Sequence, residues 1–151
     1  MSTIKTNTLT GTTSAGSILV TGEGGVQTTN LQQGLAKAFA NLDGTAVTSS
    51  TDLTGVNGSF NASSLVDNTT GDFTINMTNG VDSTNNIIFT GSAQDDADNN
   101  KHVAQLSPVR ISGGTPFATS SVRFTTNHDG QTTTLLDMEY TTVVIHGDLA
   151  E

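Results

Sequence analysis

The sequence predicts a mainly β fold: an N-terminal β arm, one short α-helix and a C-terminal antiparallel β-sandwich, intertwined with further copies of itself. Three observations carry the β class. Thr, Ser, Asn and Gly make up about half of the 151 residues and only 2 are Pro. Thr suits a pleated surface with solvent on one face, and a chain poor in Pro, Glu and Lys but rich in β-branched residues lacks the composition of disorder. Downstream of residue 46 the apolar positions recur with a period of two, most plainly where Phe73, Ile75 and Met77 alternate with Thr74, Asn76 and Thr78. Turn signals then punctuate the chain about every ten residues, the spacing of a sandwich or barrel-like domain.

The elements follow in order. Thr3 to Leu9 and Ser17 to Thr21 are short β candidates. Their apolar content, Ile4, Leu9, Ile18, Leu19 and Val20 with Val26 beyond, is too small to close a core, so this arm must pack on something else. Residues 28–45, TTNLQQGLAKAFANLDGT, read as the helix. Thr29 followed by Gln32 forms a capping box, and Asp43-Gly44 supplies a stop, placing the helix at about 29–43. Leu31, Leu35, Ala38 and Leu42 are spaced four, three and four, with Phe39 and Ala40 widening the stripe. A helix of about 13 residues spans about 20 Å and is marginal alone in water. Leu31, Leu35, Ala38, Phe39 and Leu42 are therefore the expected interface between copies, although leucine at both heptad positions does not fix the number of chains.

Domain organisation follows: residues 1–45 as arm plus attachment helix, residues 46–151 as the β domain. Its strands are expected at Ser59 to Val66, around Phe73 to Met77, Asn86 to Thr90, Val103 to Leu106, Pro108 to Ile111, Ser121 to Thr125, Thr134 to Tyr140 and Thr142 to His146. Asn68-Thr-Thr-Gly71, Asn79-Gly80, the run 95–100, Gly113-Gly114 and Asp129-Gly130 mark the turns. Only 33% of residues are hydrophobic, so the core is thin or is completed by pairing with further copies.

Charge narrows the function classes. The formal net charge is −9, and the basic residues Lys5, Lys37, Lys101, Arg110 and Arg123 are scattered. No basic stripe exists to neutralise phosphates, so nucleic acid is not an expected partner. The absence of cysteine removes disulfides, thiolate metal sites and cysteine nucleophiles. The first residues lack an apolar h-region and no run approaches the ~20 apolar residues of a membrane span, so synthesis in the cytoplasm without a signal peptide is expected.

Several residues have the chemistry for a site. Asp95, Asp96 and Asp98 in QDDADNN offer oxygen ligands for calcium, but the bidentate Glu of an EF-hand loop is missing, and a solvated loop is the simpler reading. His102, His128 and His146 are the only histidines and form no His-x-His pair; ordinary surface or interface positions are expected, with His146 in VVIHG the most buried. Asp67, Asp72, Asp82, Asp137 and Glu139 could supply paired carboxylates for glycoside hydrolysis, but they show no distinctive pairing, and with no Trp and one Tyr there are few aromatic platforms for sugar. Asn61, Asn68 and Asn76 begin glycosylation sequons that read more simply as turn and strand residues. No catalytic, cofactor or metal site is expected.

SILVTGEGG (17–25), TTNLQQGLAKAFANLDGT (28–45), SFNASSLVDNTTGDFTINMT (59–78) and the closing VVIHGDLA (143–150) together resemble a family of small bacteriophage virion proteins, often marine, described as tail-fibre or fibre-like structural proteins. The resemblance covers about two thirds of the chain and misses residues 82–120. It implies a non-enzymatic, homotrimeric protein of the virion, attached to other virion proteins through its N-terminal arm. Such a protein displays its β domain for host attachment, to a surface glycan or receptor, or alternatively decorates the capsid as a cement or head-fibre protein. The loops at Gly55 to Gly58 and Gly113 to Phe117 are then candidates for host contact, since loops carry binding more often than strands do.

Overall fold

The computed structural model describes residues 4–10, 18–21, 25, 28–48, 52–95, 102–109, 116–127 and 135–148. Among these, β1 (Leu19–Thr21) and β2 (Thr28–Asn30) pair as a two-stranded antiparallel ribbon, followed by a single helical turn, α1 (Leu31–Gly34). The remaining strands are β3 (Ala38–Leu42), β4 (Val56–Phe60), β5 (Ala62–Thr69), β6 (Asp72–Met77), β7 (Ile88–Asp95), β8 (His102–Pro108), β9 (Phe117–Ala118), β10 (Ser121–Asn127) and β11 (Tyr140–His146). They form one path, β4-β3-β11-β7-β8-β10-β6-β5, with β9 beside β10. Every ladder is antiparallel.

That path folds into two layers. β8 gives its first residues to β7, where Ala104 faces Ala93, and its last to β10, where Gln105 faces Asn127 and Pro108 faces Phe124. One strand thus belongs to both layers. Period-two alternation then aims one face of each layer inward: Ala38, Ala40, Leu42, Val143 and Ile145 from the β3 layer meet Leu65, Phe73, Ile75, Met77, Val122 and Phe124 from the β6 layer in a single core. Phe124 lies between rings from both layers, 5.9 Å from Phe73 and 5.6 Å from Phe89. Filling both faces of the interlayer space from alternate strand positions is the packing of a β-sandwich.

The other side of the fold turns at Asn61. β4 and β5 are separated by this residue alone, which has φ 55, so the chain leaves one layer and enters the other within one step. Asn is among the few side-chain-bearing residues that adopt this left-handed conformation readily. Its amide also secures the corner: Nδ2 donates to the carbonyls of Lys37 and Asn79, both at 2.8 Å, and Oδ1 accepts from the Asn79 N–H at 2.8 Å.

The helix expected over about 29–43 is corrected: only Leu31–Gly34 is helical, and Ala38–Leu42 is strand β3. Ala38, Ala40 and Leu42 are fully buried in the core of their own chain, whereas Phe39 and Asn41 face outward. The stripe Leu31, Leu35, Ala38, Leu42 therefore does not exist as one surface, and Leu35 is 54% exposed. Two physical effects override the helical pattern. Gly34 weakens the helix at its fourth residue, and β3 is hydrogen-bonded on both sides, to β4 and β11, while burying three side chains. Helix propensity is worth less than that. Asp43, expected to close the helix, instead caps a 3₁₀ turn at Gly44–Ala46, its carboxylate accepting from the Thr45 N–H at 3.0 Å. Because β3 lies inside the sheet, the boundary at 45/46 falls within the β body.

Three strand expectations also change. Ser59 to Val66 is broken at Asn61; Val103 to Leu106 and Pro108 join in the one strand β8; and of Thr134 to Tyr140, where Thr134 lies outside the described residues, Leu135 to Glu139 carry only a bridge from Leu135 to Asn127 before β11 begins at Tyr140. Residues 4–10 of the arm are exposed and form no strand. Thr3, Ser17, Arg110, Ile111, Gly113, Gly114, Asp129 and Gly130 lie outside the described residues.

Candidate interaction surface

The two layers present very different outer faces. On the β6 layer the outward residues bind one another. Asp72 receives a fork from Arg123, Nε at 2.8 Å and Nη2 at 2.6 Å, and the Asn68 amide donates to Asp72 Oδ1 at 3.2 Å and to Thr74 Oγ1 at 2.9 Å. One strand position further on, the Asn76 amide donates to Ser64 Oγ at 2.9 Å. The hydrogen bond to Asp72 raises the Arg123 pKa above its ordinary value, opposed by partial burial. Two-pronged guanidinium–carboxylate pairing of this kind fixes both side chains. The central side chains of this face are thus held by one another.

The outer face of the β3 layer is not. The register places Phe60, Phe39, Val144 and Thr90 side by side across β4, β3, β11 and β7. The next outward row is Gly58, Asn41, Thr142 and Ser92; at the two ends stand the cross-strand pairs His146 with Ile88 and Tyr140 with Gln94. Phe39 and Phe60 stack with ring centroids 6.0 Å apart, yet remain 40% and 54% exposed, and Tyr140 and Ile88 are 55% and 65% exposed. No Asp, Glu, Lys or Arg occurs in these rows. Isolated exposed apolar residues are ordinary; a contiguous set on a sheet face is a marker of an interaction site.

A cleft of about 380 Å³ opens at one end of this face, lined by Asn85, Asn86, Ile88, His146, Gly147 and Asp148. His146, expected to be the most buried histidine, is half-buried there. Beside this end Lys37 is buried, its backbone N–H donating to the Ile145 carbonyl at 2.7 Å. Burial lowers the Lys37 pKa, against the opposing pull of the Asp148 charge.

The other sequence candidates are dispersed. Asp72 is occupied by Arg123, and Asp137 accepts from the Gly71 N–H at 2.6 Å, strapping the segment before β11 onto the β5–β6 turn. Asp67 and Asp82 are exposed and Glu139 half-buried. Among the described residues no three His, Asp or Glu side chains gather as a metal site. The sequon residues all serve internally, Asn61 at the corner and Asn68 and Asn76 in the polar network. Asp95 ends β7 and His102 begins β8, while Asp96, Asp98 and His128 lie outside the described residues. Of the five residues expected at an interface between copies, Phe39 alone lies on the aromatic face. Its partner Phe60 is brought beside it by the β3–β4 register, which no local pattern in the sequence marks.

Compared with protein-family models, with characterised proteins and with solved structures, the chain matches none.

Proposed function

We propose that this protein is a non-enzymatic structural subunit of a phage virion: a homotrimeric fibre or tail-fibre component that attaches through its N-terminal segment and displays the β body for host contact. The motif resemblance over 17–25, 28–45, 59–78 and 143–150 supports the virion assignment. The observation that carries the structural role is the contrast between the two layers. Charged side chains that were candidates for chemistry, Asp72 and Asp137, are tied into the scaffold, while an uncharged aromatic sheet face is left uncovered. A subunit that meets other subunits needs such a face; a self-contained domain gains nothing from exposing it.

Gold-labelled antibody on intact particles tests the reading. Label at tail fibres is the expected result. Label on the capsid lattice would replace the adhesin with a capsid-decoration role, and unlabelled particles would overturn the virion assignment altogether.

A further inference from the structure

We infer that the outer face of β4-β3-β11-β7, centred on Phe39, Phe60 and Val144, is where copies of this chain meet. The inference rests on the reading of the protein as a self-assembling subunit and assigns the surface that reading requires.

Three properties of the face select a second copy as its occupant. The first is apolar extent. At about 200 Å² per ring, the exposed fractions of Phe39 and Phe60 leave on the order of 190 Å² of aromatic surface uncovered in one row, continued by Val144 beside Phe39 and by the exposed Ile88 at its corner. The second is charge. Each copy carries −9, so two copies repel unless they meet where no fixed charge stands, and the described rows of this face hold none. The third is polar chemistry. The groups beside the aromatic row, Asn41, Ser92, Gln94 and Thr142, are amides and hydroxyls, each able both to donate and to accept. The same groups on neighbouring copies gathered about a threefold axis can therefore complement one another, whereas a binding face for a charged partner would carry an opposite charge. The β6 layer offers no equivalent, since its outward amides and its carboxylate already bind one another.

This placement relocates the interface from the expected helix. Leu35 is not on the face, and Ala38 and Leu42 point into the core of their own chain.

Sedimentation velocity on the full-length chain distinguishes the outcomes. Thr142→Glu puts a carboxylate at an exposed position in the middle of the face; Ser63→Glu does the same on exposed β5. The expected result is an oligomer for the natural chain and for Ser63→Glu, and a shift to monomer mass for Thr142→Glu at 50 mM salt, with an unchanged far-ultraviolet circular dichroism spectrum and partial recovery of the oligomer at 1 M salt as the repulsion is screened. Phe39→Ser combined with Phe60→Ser should dissociate the oligomer without any salt recovery. If both variants keep the natural mass, or if Ser63→Glu dissociates the oligomer equally, the face is wrongly assigned while self-assembly stands. If the natural chain is a folded monomer at every concentration, the assembly reading itself fails.

Discussion

The polar outer face of the β6 layer and the aromatic outer face of the β3 layer cover the same core, yet one is chemically complete and the other is not. On the first, Arg123, Asp72, Asn68 and Thr74 satisfy one another across three strands. On the second, Phe39 and Phe60 have each other on one side and solvent on the other. Inward positions alternate through β3 and β11, whereas β10 buries Phe124, Thr125, Thr126 and Asn127 in a row where it passes between β6 and β8. What separates the layers is the outward positions, and these are where function enters a fold whose interior is generic.

Breaking the shared interior should erase the difference. Phe124→Ala removes the ring that touches both Phe73 and Phe89 and is expected to cost about 3–5 kcal/mol. Urea unfolding should still show one transition; two transitions would mean that the layers do not share a core. Arg123→Met attacks only the polar face, leaving the Asp72 carboxylate largely buried without its partner. A loss of about 2–3 kcal/mol is expected, near or below the lower end for buried pairs because Arg123 is partly solvated, and adding Asp72→Leu should restore most of it. Failure of the double variant to recover would mean that the pair does more than neutralise itself.

Gly71→Ala probes the turn beneath that face. Gly71 has φ 65, and a Cβ there would stand 2.5 Å from the Leu136 backbone nitrogen, so a loss of about 1–3 kcal/mol by thermal melting is expected. Phe60→Ser sharpens the contrast from the other side: it should lower the stability of an isolated copy by about 1–2.5 kcal/mol, the aromatic pair plus the half of its surface that Phe60 buries, while weakening the proposed assembly.

The smallest effect belongs to Lys37. Because burial lowers its pKa from 10.5, the folded chain releases this proton at a lower pH than the unfolded chain does. Stability from this group therefore rises as pH climbs from the folded value toward 10.5 and is flat below that window. Lys37→Met should remove the alkaline rise, detectable as a difference between the two melting-temperature profiles.

Much of the β6 layer was legible because its strands obey a period of two without competition, as in Phe73, Ile75 and Met77. Asn68 to Gly71 marked its hairpin for the same reason: Gly71 needs the positive φ that the turn imposes. β3 was misread because KAFANL satisfies two patterns at once. Ala, Lys and Leu favour a helix locally, and only the non-local ladders to β4 and β11 decide otherwise. The aromatic face was hidden for a related reason. Phe39 and Phe60 lie far apart in sequence, and nothing local shows that the register brings them together with Val144.

The register of β11 also sets an order of events. Ala40 pairs with Val143, about a hundred residues later in the chain, and Val143 pairs in turn with Gly91. Pairings this distant close late in folding. During synthesis, β3 can complete its ladder with β11 only after residues 140–146 have left the ribosome, and Tyr140, Thr142 and Val144 join the outer face only when β11 docks. A nascent chain halted after Asn127 should accordingly lack the outer positions of Tyr140, Thr142 and Val144, so that on the proposed assembly the chain completes its own sheet before this face can meet a second copy.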